Sequence, residues 1–264
     1  MIRFVAGARG VALGLGLSLA ACAAPEAPPP SAPVGPTLGW MAAIGLLDPG
    51  AGRLKCTAVL VAPDLVATAA HCFYPAGSST ALAPSAFVFH PNFGGKPAVA
   101  DAQGTVMRAI GGAIPQGHIT DAEAPYDWAL MQIAPPVTTV KPVPVAALSV
   151  AHMLEMVAGG DRLFVAGYGN GRMDALHIPG ACRIVAPGEL KLEIDHRLIV
   201  TDCVFRIGDS GGPVALIDSG GKPMLIGVIS GFGKHPTKTI PLGFAASADG
   251  FAAYIQGPVI SLLN

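Results

Sequence analysis

Charge is scarce in this chain. Asp, Glu, Lys and Arg make up only 12% of its 264 residues, the net charge is −1, and no run of lysine or arginine occurs. A nucleic-acid partner needs a basic stripe to neutralise phosphates, so that class is excluded. His118, His152, His177, His196 and His235 are scattered and show no His-Glu-x-x-His spacing, so neither a metal nor another cofactor is expected. The glycine-rich stretch 167–171 lacks the helix start that a phosphate loop requires and reads as a turn. No internal repeat is present. What the chain has in quantity is Gly (34) and Pro (25), spread between short apolar runs. That distribution favours many strands and turns over long helices.

The first residues form a separate unit. MIRFVAGARG carries Arg3 and Arg9, VALGLGLSLA is apolar, and Leu19-Ala20-Ala21-Cys22 closes the segment. The pattern is that of a signal peptide over residues 1–21. The apolar run falls well short of the roughly 20 residues that span a bilayer. Leu-Ala-Ala-Cys resembles the bacterial lipobox, in which Cys22 is acylated; the alternative is an ordinary signal peptide with a chance cysteine. Ala23 after the lipid site implies sorting to the outer membrane, with a soluble exported protein as the fallback. The membrane contact expected is this lipid anchor alone. The Pro-rich stretch that follows completes a tether over residues 22–38, extended at roughly 3.1 Å per residue. Export would also place the four other cysteines, Cys56, Cys72, Cys182 and Cys203, where disulfides persist.

From Trp40 onward the chain reads as all-β. Apolar runs at Met41–Leu47, Thr57–Val61, Leu65–Ala69, Phe87–His90 and Trp128–Ile133 fall in a first half, residues 39–140. Runs at Arg162–Ala166, Cys182–Val185, Lys191–Ile194, Pro213–Ile217, Met224–Ser230 and Leu242–Ala245 fall in a second, residues 141–264, with prolines 135–144 between them. Asp249 to Gln256 is the one segment that reads as a helix, with Asp249 as its cap.

Three segments carry chemistry. Val66–Cys72 puts His71 at the end of an apolar run, and a Cys56–Cys72 bridge would tie that end to its neighbour, worth about 3 kcal/mol by loop closure. Asp127 precedes Trp128, Ala129 and Leu130, either as a local backbone acceptor or as a buried acid that needs a partner such as an imidazole N–H. Arg206-Ile207-Gly208-Asp209-Ser210-Gly211-Gly212-Pro213 is either a plain turn or a nucleophile on a shaped backbone.

Together, Thr68-Ala69-Ala70-His71-Cys72, Asp127-Trp128-Ala129-Leu130 and Gly208-Asp209-Ser210-Gly211-Gly212-Pro213 resemble the signature segments of the chymotrypsin/trypsin-like serine proteases, in that family's order. His90-Pro91-Asn92-Phe93 and Gly167-Tyr168-Gly169 resemble further family segments. The resemblance implies two six-stranded antiparallel β-barrels, a short C-terminal helix, a protein or peptide substrate and a monomer. It implies Ser210 as nucleophile, His71 as base and Asp127 as orienting acid, with the N–H groups of Gly208 and Ser210 as the oxyanion hole. It pairs Cys182 with Cys203. The cysteine seven positions before Ser210 is similar to bacterial extracellular trypsin-like and glutamyl-endopeptidase-like proteins. Val204, Phe205, Ser230 and Gly231 take the substrate-binding positions. Val204 stands where trypsins have Asp, and Ile229 where glutamyl endopeptidases have His, so the expected P1 preference is apolar. One departure stands out: no Lys or Arg lies between Arg9 and Arg53 to be cut for the family's activation by a new N-terminus. Asp209 therefore needs another partner, for which Arg206 is the nearby candidate. A catalytically silent relative that binds a partner at the cell envelope, and a generic esterase, are the other readings.

Overall fold

The computed structural model describes residues 39–256, apart from 51, 97, 117–118, 170–174, 191–193 and 235–240, and for Lys234 the backbone alone. The expected signal segment, Cys22 and the tether lie outside the described residues.

The first half is a closed barrel. Its strands are β1 (Ile44–Asp48), β2 (Cys56–Ala62), β3 (Leu65–Thr68), β4 (Val88–Pro91), β5 (Ala102–Ile110) and β6 (Ala129–Ala134), hydrogen-bonded in the order β1-β2-β3-β6-β5-β4, with β4 closing on β1. All four residues of β3, and six of seven in β2, are buried. These runs are apolar on both faces because one face fills the barrel and the other meets neighbouring chain. Closure removes the free edges that such strands would otherwise present.

The second half is a curled antiparallel sheet of β7 (Arg162–Val165), β8 (Leu198–Thr201), β9 (Pro213–Ile217), β10 (Pro223–Lys234) and β11 (Pro241–Ser247), in the order β7-β9-β10-β11-β8. It has five described strands where six were expected. Cys182–Val185 does not form a strand and pairs with the sheet edge through a single bridge, Ile184 to Thr201. The expected strand at Lys191–Ile194 lies mostly outside the described residues. Conversely, β5 and β8 were not anticipated.

A helix at Val150–Ala158 is a further departure from the strand-and-turn reading. Ser149 caps it by accepting from the His152 amide, and Met153 is its one fully buried side chain. At the C-terminal end, a 3-10 turn at Ala248–Gly250 leads into a single helical turn at Ala253–Gln256. Ser247, not Asp249, supplies the cap there, accepting from the Asp249 amide.

The first and last described segments each pack on the opposite half. Trp40 stacks edge-on against Phe164 of β7, with ring centroids 4.8 Å apart. Phe251 and Tyr254 pack on Trp128 beside β6, at 5.8 and 5.6 Å.

Candidate active site

β3 ends at Thr68, and the chain turns into a short 3-10 helix, Ala70–Phe73, that carries His71. A disulfide joins Cys72 to Cys56 at the start of β2. This fixes the backbone on the C-terminal side of His71 to the neighbouring strand. A second 3-10 turn, Ala124–Tyr126, delivers Asp127 just before β6. Because β3 and β6 are paired, with Thr68 opposite Ala129, the two turns emerge side by side.

The pairing that results is tight. Asp127 has no solvent exposure and accepts three hydrogen bonds. The His71 amide donates to Oδ1 at 2.8 Å, the His71 ring Nδ1 donates to Oδ2 at 2.7 Å, and the Ser230 hydroxyl donates to Oδ2 at 2.6 Å. A carboxylate so enclosed requires such donors, and here they also hold the imidazole plane. Arg197 secures the preceding residue: it stacks 4.5 Å over the Tyr126 ring and donates to its hydroxyl.

Ser210 sits on the loop that enters β9. Its hydroxyl makes no hydrogen bond among the described residues, and it shares with His71 the wall of a cleft of about 330 Å³. The peptides around it are pinned one after another. The Gly208 carbonyl accepts from the Thr57 hydroxyl at 2.8 Å, and the Asp209 amide donates to the Arg206 carbonyl. The Asp209 carbonyl accepts from Gly212, and the Ser210 carbonyl accepts from the Thr57 amide at 2.8 Å. Gly208 has φ +100°, which a residue with a Cβ rarely adopts, and a Cβ there would lie 2.6 Å from the Tyr168 carbonyl. The N–H groups of Gly208 and Ser210 donate to no acceptor among the described residues, so both stay free for a ligand oxygen.

Asp209 points away from the cleft and is 1% exposed. Its Oδ2 accepts from His177 Nδ1 at 3.0 Å and from the Arg206 amide at 2.9 Å, while Oδ1 has no partner among the described residues. Burial pushes this carboxyl above the ordinary carboxylate range, and the Arg206 amide and His177 pull it back. Gly167 and Gly169 make room for it: a Cβ on the first would meet Asp209 Cα at 2.6 Å, and on the second Oδ1 at 2.5 Å. The nearby candidate Arg206 thus hydrogen-bonds Asp209 through its amide while its guanidinium acts only by its charge, and the side-chain hydrogen-bond partner is a histidine that sequence reasoning left among the scattered ones.

A family model described as Trypsin matches residues 32–255, spanning both halves and every residue above. The chain belongs to the trypsin family. Its fold and family are those of serine peptidases. Among solved structures, 1038 chains match this trypsin-family protein. One is a Glu endopeptidase in complex with MPD: 19% identical, TM-score 0.53, covering 81% of this chain and 89% of that one. At that identity the likeness concerns the fold. No curated protein sequence matches the chain significantly.

The other anticipated residues divide. Both expected disulfides are present, Cys56–Cys72 and Cys182–Cys203, with Cα atoms 6.2 and 5.0 Å apart. Phe205, Ser230 and Gly231 line the cleft that holds Ser210. Val204 does not: it is 55% exposed and lines a separate hollow with His177 and Asp202. Phe205 turns inward to a site of 4% exposure, where its ring lies against Gly243 and a Cβ would clash with it. Neighbouring residues on a bent loop face opposite ways, and the pair is split. The Ser230 hydroxyl is engaged by Asp127. Thr57 and His177 are the site residues that sequence reasoning missed. As for metals, donor atoms of Cys56, His71 and Cys72 lie within 4.8 Å of one another, but both sulfurs are in the disulfide, which leaves the group no thiolate.

Proposed function

We propose that the protein is a serine endopeptidase that cleaves peptide bonds through an acyl-enzyme intermediate. Ser210 is the nucleophile, His71 its base, and Asp127 the group that orients His71. The observation that supports this most is the fully buried Asp127, whose Oδ2 accepts from the Nδ1 of a histidine that opens onto the same cleft as Ser210. With Nδ1 protonated against Asp127, Nε2 is left as the basic nitrogen. It takes the Ser210 proton as Oγ attacks the scissile carbonyl, and returns that proton to the leaving amine. Water then repeats the sequence in reverse and frees the acyl group. The N–H groups of Gly208 and Ser210 receive the oxyanion, each worth roughly 3 kcal/mol in the transition state.

The described lining of the cleft contains no Asp or Glu, and Phe205, Ile119, Ile229 and Phe232 contribute apolar surface. An apolar P1 side chain suits it better than Lys or Arg. Export and lipid attachment at Cys22 are part of the same reading. They are supported by the Leu19–Cys22 sequence and by two disulfides, which persist in oxidising compartments.

The test is labelling of the purified full-length protein with a fluorophosphonate probe, beside Ser210→Ala and His71→Ala. Labelling abolished by both substitutions is the expected result. A folded, disulfide-intact wild type that does not react would overturn the assignment.

A further inference from the structure

We infer that His177 is a positioning residue for the oxyanion loop: by holding the Asp209 carboxyl it sets the 206–210 backbone. The inference rests on the proposed hydrolytic role of Ser210.

His177 is well placed for this task. Its backbone is fixed to the segment on which Asp209 rests, with the His177 amide donating to the Gly167 carbonyl at 2.7 Å and the Gly167 amide donating back at 2.9 Å. Its ring is mostly buried, 14% exposed, and Nδ1 reaches Asp209 Oδ2 at 3.0 Å. Asp209 has few other resources. The Arg206 amide shares Oδ2, and Oδ1 is buried with no partner among the described residues. Without the imidazole, a carboxyl 1% exposed would keep a single hydrogen-bond donor, the Arg206 amide, besides the more distant Arg206 charge. A group in that position turns toward water, and the adjoining peptides turn with it.

Those peptides are the ones the proposed chemistry uses. Asp209 lies between Gly208 and Ser210, and its side chain, amide and carbonyl are each engaged, by His177 and Arg206 on one side and by Gly212 on the other. Release of the carboxyl therefore loosens the turn that aims both free N–H groups into the cleft. The Thr57 contacts hold that turn from the opposite side, through the Gly208 and Ser210 carbonyls. His177 and Thr57 thus grip the loop from different halves of the molecule.

The test compares wild type with His177→Ala and His177→Asn in the full-length protein. Asn can place a side-chain N–H where Nδ1 stands; Ala cannot. Two readouts are taken: the rate of fluorophosphonate labelling, and hydrogen exchange of the 205–212 segment by mass spectrometry. The expected result is labelling about 10²-fold slower in His177→Ala, comparable to loss of an oxyanion donor, with faster exchange in the segment. His177→Asn should restore most of both. Equal losses in Ala and Asn would reduce His177 to general packing and overturn the inference, as would wild-type rates and exchange in a folded Ala variant. If wild type itself does not label, the peptidase reading fails. Exchange then decides alone: faster in Ala and restored in Asn upholds the hold on the loop, and no change refutes it. Should His177→Ala not fold, His177→Gln replaces it, since its donor lies one bond too far out to occupy the Nδ1 position.

Discussion

Thr57→Val removes one hydroxyl and nearly nothing else, which makes it the sharpest perturbation of the loop that bears Ser210. Thr57 is fully buried on β2, and its Oγ1 both donates to the Gly208 carbonyl and accepts from the Tyr168 amide, each at 2.8 Å. Valine fills the same space but leaves that carbonyl and that N–H without partners. Each orphaned buried group costs about 1–3 kcal/mol, so the pair should cost about 2–6 kcal/mol. For a folded body of this size, that lowers Tm by about 4–24 °C. The effect on reactivity follows from the same bond. Freeing the Gly208 carbonyl unpins the turn whose neighbouring N–H is the proposed oxyanion donor, so labelling should slow by about 10-fold to 10²-fold, up to the lower end of the range for a lost donor. Differential scanning calorimetry and time-resolved fluorophosphonate labelling measure the two effects. Thr57→Ser, which keeps the hydroxyl, is expected to recover most of each. A valine variant that melts within about 1 °C of wild type and labels at the wild-type rate would refute the reasoning, because it would mean that the two short bonds carry no net energy.

Two further expectations concern the surroundings of Asp127. Ser230→Ala deletes one of its three donors, the hydroxyl at 2.6 Å; a bond to a charged acceptor is worth about 1.5–3 kcal/mol, so the labelling rate should fall by about 10-fold or more while His71 keeps its own two bonds. Arg197 holds the Asp195 carboxyl down to about 2 from 3.8, chiefly through their side-chain hydrogen bond. A depressed carboxyl contributes stability that is present above its unfolded value and is lost as pH falls through the folded one. The Tm advantage of wild type over Arg197→Met should therefore persist at pH 5 and shrink between about pH 4 and pH 2, a modest change because the pair is partly solvated.

Much of this site can be read from the sequence because its chemistry is local. His71, Asp127 and Ser210 each lie in a short segment whose neighbours have their own reasons to be there: Cys72 for the disulfide, Gly208 for its positive φ, Trp128 for the core. The parts that resist reading depend on distant pairing. His177 and Asp209 are 32 residues apart, and nothing beside His177 marks it. Thr57 looks like one more residue of an apolar strand, yet its partner Gly208 is 151 residues away. Strand β5 hides for another reason: its register shifts between Gly104 and Met107 and again between Met107 and Ala109, so alternation of buried and exposed residues breaks down. The Val150–Ala158 helix carried a legible cap in Ser149, but the abundance of Gly and Pro around it argued for turns.

The exchange of chain ends between the halves has a consequence for the order in which the molecule is made. Trp128, next to Asp127, is covered by Phe251 and Tyr254, and Gly250 lies against its indole so closely that a Cβ would come within 2.8 Å of Nε1. Residues 44–134 can pair all their strands early, yet this face of Trp128 stays uncovered until residues 250–254 have emerged from the ribosome. Synthesis thus supplies a timer: a product that ends after Ser210 possesses His71, Asp127 and Ser210, but lacks both the side chains that cover Trp128 and the Ser230 hydroxyl that bonds Asp127.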